Sequence, residues 1–252
     1  LHLYGGMEGS IKIKEVSSRF ETIYKSISAI GYKIDEDDVL AYTLHIYKNT
    51  LSEVNTSDFI NKQLSNKDGV SFVIAFSQGL ATSFEHLKLF FNQHENESIY
   101  IHSLVTLGGI SVALPFILKA YRLGLNIQEI GELCQSLESL VLRDKLIGTK
   151  ADLSTRLNTV FVKFSEENPS IQPIIDHINT MKKTKDWWWA YWSNQALENS
   201  LQGWINPSVA RFLLWKYENY LKKSLNKSGY KGISYTQIIE SPELEHIAPT
   251  TE

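Results

Sequence analysis

Apolar residues recur at intervals of three and four along nearly the whole chain, the spacing expected of helices that bury one face. Val16, Phe20, Ile23, Ile27 and Ile30 form the first stripe, and Gly31 offers the left-handed stop that ends many helices. Asp35 to Asp38 then place carboxylates where a helix N-terminus favours them, ahead of Val39, Leu40, Leu44 and Tyr47. Ser57 is positioned to cap a short helix carrying Phe59, Ile60 and Leu64, and Asn66-Lys67-Asp68-Gly69 reads as a turn. Val73, Phe76, Leu80, Phe84, Leu87 and Phe91 predict a long core helix. Asn126 with Glu129 has the capping-box arrangement before Ile130, Leu133, Leu137 and Leu140, and Asn206-Pro207 pairs a cap with a proline in the first turn.

The pattern changes after Gly232. Ile233, Tyr235, Ile238, Ile239, Leu244 and Ile247 are β-branched or bulky residues punctuated by Pro242 and Pro249, which predicts a short strand or hairpin. The expected fold class is therefore mainly α, a multi-helix domain with a short β element at the C-terminus. No fixed-period repeat, low-complexity stretch or glycine-rich phosphate loop interrupts it.

With 252 residues, 43% of them hydrophobic, the chain is long enough to bury a real core. Mean hydropathy is -0.18. The longest uncharged run, Ser103 to Leu118, is too short for a bilayer span and contains Gly108, Gly109 and Pro115, so it reads as a buried helix pair. Cys134 stands alone, which excludes an internal disulfide. With no secretion signal recognisable, a cytoplasmic location and no membrane partner are expected.

The net charge of -3 hides an asymmetry. Between Met181 and Lys231 stand Lys182, Lys183, Lys185, Arg211, Lys216, Lys222, Lys223, Lys227 and Lys231 against Asp186, Glu198 and Glu218, a local excess of +6 that leaves -9 for the rest. Such a distribution suits either a face that meets phosphate or a solvated lysine-rich surface. Beside these lysines, residues 186–192 concentrate four of the six tryptophans. On a helix Trp188 and Trp192 would share a face, where indoles stack on unpaired bases or pack a core. His45, His86, His94, His102 and His177 stand singly and read as structural or surface residues.

Three segments carry a resemblance. Residues 137–164 run from Leu-Glu-Ser-Leu-Val-Leu-Arg-Asp-Lys-Leu-Ile-Gly-Thr into Leu153, Leu157, Phe161 and Phe164; residues 206–222 form a helix; and Leu244-Glu245-His246-Ile247-Ala248-Pro249 follows. In this order they resemble the middle and C-terminal part of the GmrSD-type restriction endonucleases, bacterial anti-phage enzymes acting on modified DNA, over about half of the chain. That family joins a ParB-related nucleotide-hydrolysing domain, a helical middle and a His-Me finger nuclease. No Asp-Gly-x-Gln-Arg element of the first domain is present. The resemblance implies a helical domain over 1–232, with a possible sub-boundary near 125, and the start of a truncated ββα-metal finger over 233–252.

Matched residue by residue, the resemblance makes His246 the general base of phosphodiester hydrolysis and Glu245 its metal-holding neighbour. A divalent ion, Mg or Mn, is implied for a complete finger, and this chain alone is not expected to hold it. Lys182, Lys183, Lys185, Trp188, Trp192 and Arg143 are the candidate DNA contacts, with an ion pair between helices the favoured role for Arg143. The implied partners are DNA, further domains of the same protein and a second copy of the chain. The alternative is an all-α protein-interaction or oligomerisation domain with no nucleic-acid role.

Overall fold

A computed structural model describes residues 7–31, 33–186 and 190–224, with side chains from 12 to 221 outside the two gaps. Among the described residues the protein is mainly helical, with eleven helices of eight residues or more and no strand. The β element read over 233–247 lies outside them.

Caps and turns set the helix ends. Helix α1 (Met7–Ile30) buries Val16, Ile23, Ile27 and Ile30 and stops at Gly31, whose φ is 62°. Phe20 departs from the expected stripe and is 44% exposed. In α2 (Glu36–Lys48) the Asp35 side chain accepts from the Asp37 N–H at 2.8 Å. Helix α3 (Thr56–Leu64) is capped by Asn55, which accepts from Asp58 N–H, and not by Ser57. The cap must sit just outside the first turn, and Ser57 already lies within it. Helix α4 (Gly69–Leu89) runs on into a π-turn, Phe90–His94.

The expected buried pair is α5 (Ile99–Leu107) and α6 (Leu114–Arg122), separated by Gly108 and Gly109, both at φ 66°, with Pro115 in the first turn of α6. Positive φ favours glycine because a Cβ would clash there. Helix α7 (Ile127–Ile147) begins with the predicted Asn126/Glu129 box. Then come α8 (Leu153–Lys163), α9 (Gln172–Lys183), a 3-10 turn (Ala190–Trp192), α10 (Asn194–Leu201) and α11 (Pro207–Ser224).

Helix α1 lies along α4 and α5 along α7, while α9 and α10 cover other sides of α7. Ile130, Leu133, Cys134, Leu137 and Leu140 of α7 are fully buried, making it the central post. The main core is contiguous across residue 125, where the sequence allowed a sub-boundary: Ile117, Leu133 and Phe161 belong to one cluster. Burial pushes the Cys134 thiol far up, so this lone cysteine acts as a small apolar residue. No described helix is long and apolar enough to cross a membrane.

One core feature is ionic. Lys119 on α6 is 6% exposed, and its Nζ donates to Asn49 Oδ1 and, at 2.7 Å, to the Phe161 carbonyl, 4.1 Å from the Phe161 ring centroid. Asn49 adopts the left-handed conformation at the α2 C-cap and donates in turn to the Val162 carbonyl, so one lysine ties α2, α6 and α8 together. Burial, with Arg122 nearby, lowers its pKa to about 8. An unfolded lysine titrates near 10.4, so between the two values the unfolded chain holds more protons and stability rises with pH. Urea unfolding should give a gain of about 2 kcal/mol between about pH 7.5 and about pH 9.5 that Lys119→Met lacks. Equal pH profiles for the two proteins would refute this.

Candidate functional site

The polar side chains converge on the face shared by α7 and α9. Along α7, Gln128, Glu132, Gln135, Ser136 and Ser139 recur at helical spacing, and along α9 Ile175, Asn179 and Lys182 do the same; together they line an open cleft of about 890 Å³. Its far wall is the start of α5, where Ser98 comes close to α7 because residue 131 is glycine: a Cβ there would lie 3.0 Å from Ser98 Oγ. Lys182 reaches Ser139 and Ile175 faces the same cleft, so α9 lies along this part of α7.

Of the sequence-derived candidates, Lys182 is the one placed in this cleft. It is half-buried, and its Nζ donates to Ser139 Oγ at 3.2 Å, while Ser139 donates to the Ser136 carbonyl at 2.7 Å. Burial first, then Arg143 and Lys183, hold its pKa below the usual lysine range. Among the described residues no carboxylate lies within ion-pairing distance of the Lys182 or Arg143 side chain. Lys183 and Lys185 follow as exposed residues at and beyond the end of α9.

Arg143 behaves differently from expectation. Its Nη1 donates to the Trp192 carbonyl at 3.1 Å and its Nη2 to Asn194 Oδ1 at 2.8 Å, so it bonds neutral oxygens in place of the expected carboxylate. The nearest acid in sequence, Asp144, is engaged elsewhere, accepting from Trp192 Nε1 at 2.8 Å. Trp192 is fully buried and sits in a 3-10 turn, so it has no face left for stacking on a base and belongs to the core. Trp188, Glu245 and His246 lie outside the described residues, which leaves the proposed base and metal ligand without a described geometry.

The basic stretch is divided in the same way. Lys216 is drawn inward, donating at 2.9 Å to Glu138, a carboxylate 4% exposed on α7, and at 3.1 Å to Ser103 Oγ. The single histidines are tied into local structure: His45 donates to the Thr50 carbonyl, His177 to the Arg156 carbonyl, and His94 pairs with the Tyr121 hydroxyl at 2.7 Å. Among the described residues no group of three or more His, Cys, Asp or Glu side chains is arranged to hold a metal ion.

Sequence reasoning missed Ser136, Ser139, Gln135, Glu132 and Asn179. The signal was present as a polar stripe at spacings of three and four on the two helices, masked by the stronger apolar stripe beside it. No family model, no curated protein and no solved structure matches this chain.

Proposed function

We propose that this chain is a helical module that contacts nucleic acid, the role implied by its resemblance to the middle of the GmrSD-type restriction endonucleases, with the α7–α9 face turned toward phosphate. The observation that carries the reading is half-buried Lys182, seated on Ser139 with Arg143 one turn further along α7, and no carboxylate in ion-pairing distance of either among the described residues. Like charges held together in a partly desolvated place repel one another, a cost that a bound phosphate would offset. Lys183 and Lys185 extend the same charge into solvent, where it acts at longer range.

Binding of labelled duplex DNA, followed by anisotropy against salt, tests this. Affinity should fall by at least about tenfold between about 50 and 200 mM salt. Lys182→Glu combined with Lys183→Glu should weaken binding by roughly tenfold and lower the salt slope by about two, one for each lysine that no longer meets a phosphate.

A second reading has its own observation. Helices α1 to α4 enclose an apolar groove of about 670 Å³ lined by Phe20, Tyr24, Leu64 and Phe76, with Phe20, Tyr24 and Leu64 exposed on its rim. Contiguous exposed apolar surface is a common mark of protein contact. Absence of DNA binding at low salt, together with self-association that disappears in Tyr24→Ser, would move the reading to that face.

A further inference from the structure

The α7–α9 cleft is polarised along its length. At one end stands Lys182, anchored on Ser139 by one of its three N–H donors. At the other end stand Glu132 and Glu97, both exposed carboxylates on the cleft wall. Glu132 and Ser139 are seven residues apart on α7, about 10 Å at 1.5 Å of rise per residue. The stretch between them carries the amides of Gln135 and, across the cleft, Asn179, with Ile175 and Tyr100 as apolar sides.

Midway sits Ser136. Its residue is 9% exposed, and its Oγ is buried with no hydrogen-bond partner although it lines the cleft. Buried hydroxyls in folded proteins are nearly always paired, and leaving one unmade is costly. This unpaired hydroxyl lies one turn of α7 before Ser139, the residue that seats Lys182.

The dimensions discriminate between ligand classes. Amino-acid zwitterions hold their opposite charges too close together to reach both ends of the cleft. A polyphosphate would push a second anionic group against Glu132. A nucleoside monophosphate fits: one phosphate at the lysine end, a ring flanked by apolar side chains, amides that match base edges, and sugar hydroxyl or base amino donors facing carboxylates. Resting on the proposed nucleic-acid role, we propose that the α7–α9 cleft takes a single nucleoside monophosphate unit, with Lys182 and Ser136 holding the phosphate, Ser139 positioning Lys182, and Glu132 holding the sugar or base. The unit is either a free nucleotide or an unpaired nucleotide of a DNA strand.

The full chain is titrated with 2′-deoxynucleoside 5′-monophosphates, with the corresponding nucleosides and with inorganic phosphate, followed by calorimetry. The monophosphates should bind at least about tenfold more tightly than either half alone. Lys182→Gln and Ser136→Ala should each weaken them at least about fivefold. Ser136→Ala should do so with an unchanged or raised Tm, since it deletes an unpaired buried hydroxyl, an outcome that a merely structural serine would not give.

Duplexes with and without one unpaired nucleotide, compared at fixed salt, separate the two sources. Preference for the unpaired duplex, abolished in Ser136→Ala, assigns the unit to a strand; monophosphate binding without that preference assigns it to the free nucleotide. Equal binding of phosphate and monophosphate, or indifference of every ligand to Ser136→Ala and Lys182→Gln, overturns the inference. Salt-dependent binding of paired DNA alone would leave the proposed function standing while the cleft assignment falls.

Discussion

Trp192→Ala lowers the unfolding free energy by about 3–5 kcal/mol, the range for emptying a large buried aromatic site. Trp192 is fully buried in the main core, and it is also a polar junction. Its indole N–H satisfies Asp144, its carbonyl receives Arg143, and its ring meets Tyr191 edge-on at 5.9 Å between centroids. Truncation therefore also strips the half-buried Asp144 of its indole donor. Trp192→Phe keeps most of the ring and loses the N–H, so it should cost about 1–3 kcal/mol. Trp204, 81% exposed, supplies the contrast: Trp204→Ala should stay within about 0.5 kcal/mol of the parent. Equilibrium urea unfolding reads all three, and a near-neutral Trp192→Ala would contradict its place in the core.

Lys216→Met costs about 3 kcal/mol by stranding Glu138. Removing one partner of a buried ion pair leaves the other charge desolvated, and Glu138 is 4% exposed in the middle of α7. The figure lies at the low end for such pairs because 36% of the Lys216 side chain reaches solvent, which lets water replace part of the interaction. Around this tie, Phe212 and Trp215 pack on Leu107 and Val141, so the same change should loosen α11 and speed proteolysis within residues 207–221. Lys216→Met with Glu138→Leu should recover most of the stability, because apolar replacement of both partners removes the desolvated charge. A double variant no more stable than the single one would show that the pair is not what holds α11.

Several helix ends were readable because cap and partner lie within three residues of one another, although the α3 cap was read at Ser57 and lies at Asn55. Asp35, the Asn126/Glu129 box and the Asn206-Pro207 start are cases in point, since the side chain and the N–H that it serves belong to one turn. Gly108, Gly109 and Pro115 were equally clear, because their backbone preferences are intrinsic. Phe20 escaped because α4 and α2 decide which of two adjoining faces of α1 is covered. Lys119 escaped because its acceptors, Asn49 and Phe161, are 70 and 42 positions away.

The candidate site divides along the same line. Lys182 was visible as a member of a basic run, whereas its seat on Ser139, 43 positions away, and the cleft they share exist only after α9 has docked on α7. Trp192 and Arg143 stood as candidate DNA contacts beside core packing and an inter-helix ion pair, because composition records how many aromatic and basic groups a segment holds and says nothing of which way a turn aims them. The 3-10 turn at Ala190–Trp192 aims this indole inward.

The π-turn at Phe90–His94 places one residue more in its coil than a regular helix would hold, and so buries the adjacent Phe90 and Phe91 together. Beyond it, Glu95 meets Lys33 at 3.3 Å and His102 at 3.5 Å. The extra residue is absorbed within that single coil, so deleting one residue there would restore ordinary winding and leave the residues beyond it facing as before. The length of this stretch is thus under looser constraint than that of a regular turn: removing the exposed Gln93 should be tolerated better than removing one residue from the middle of α4.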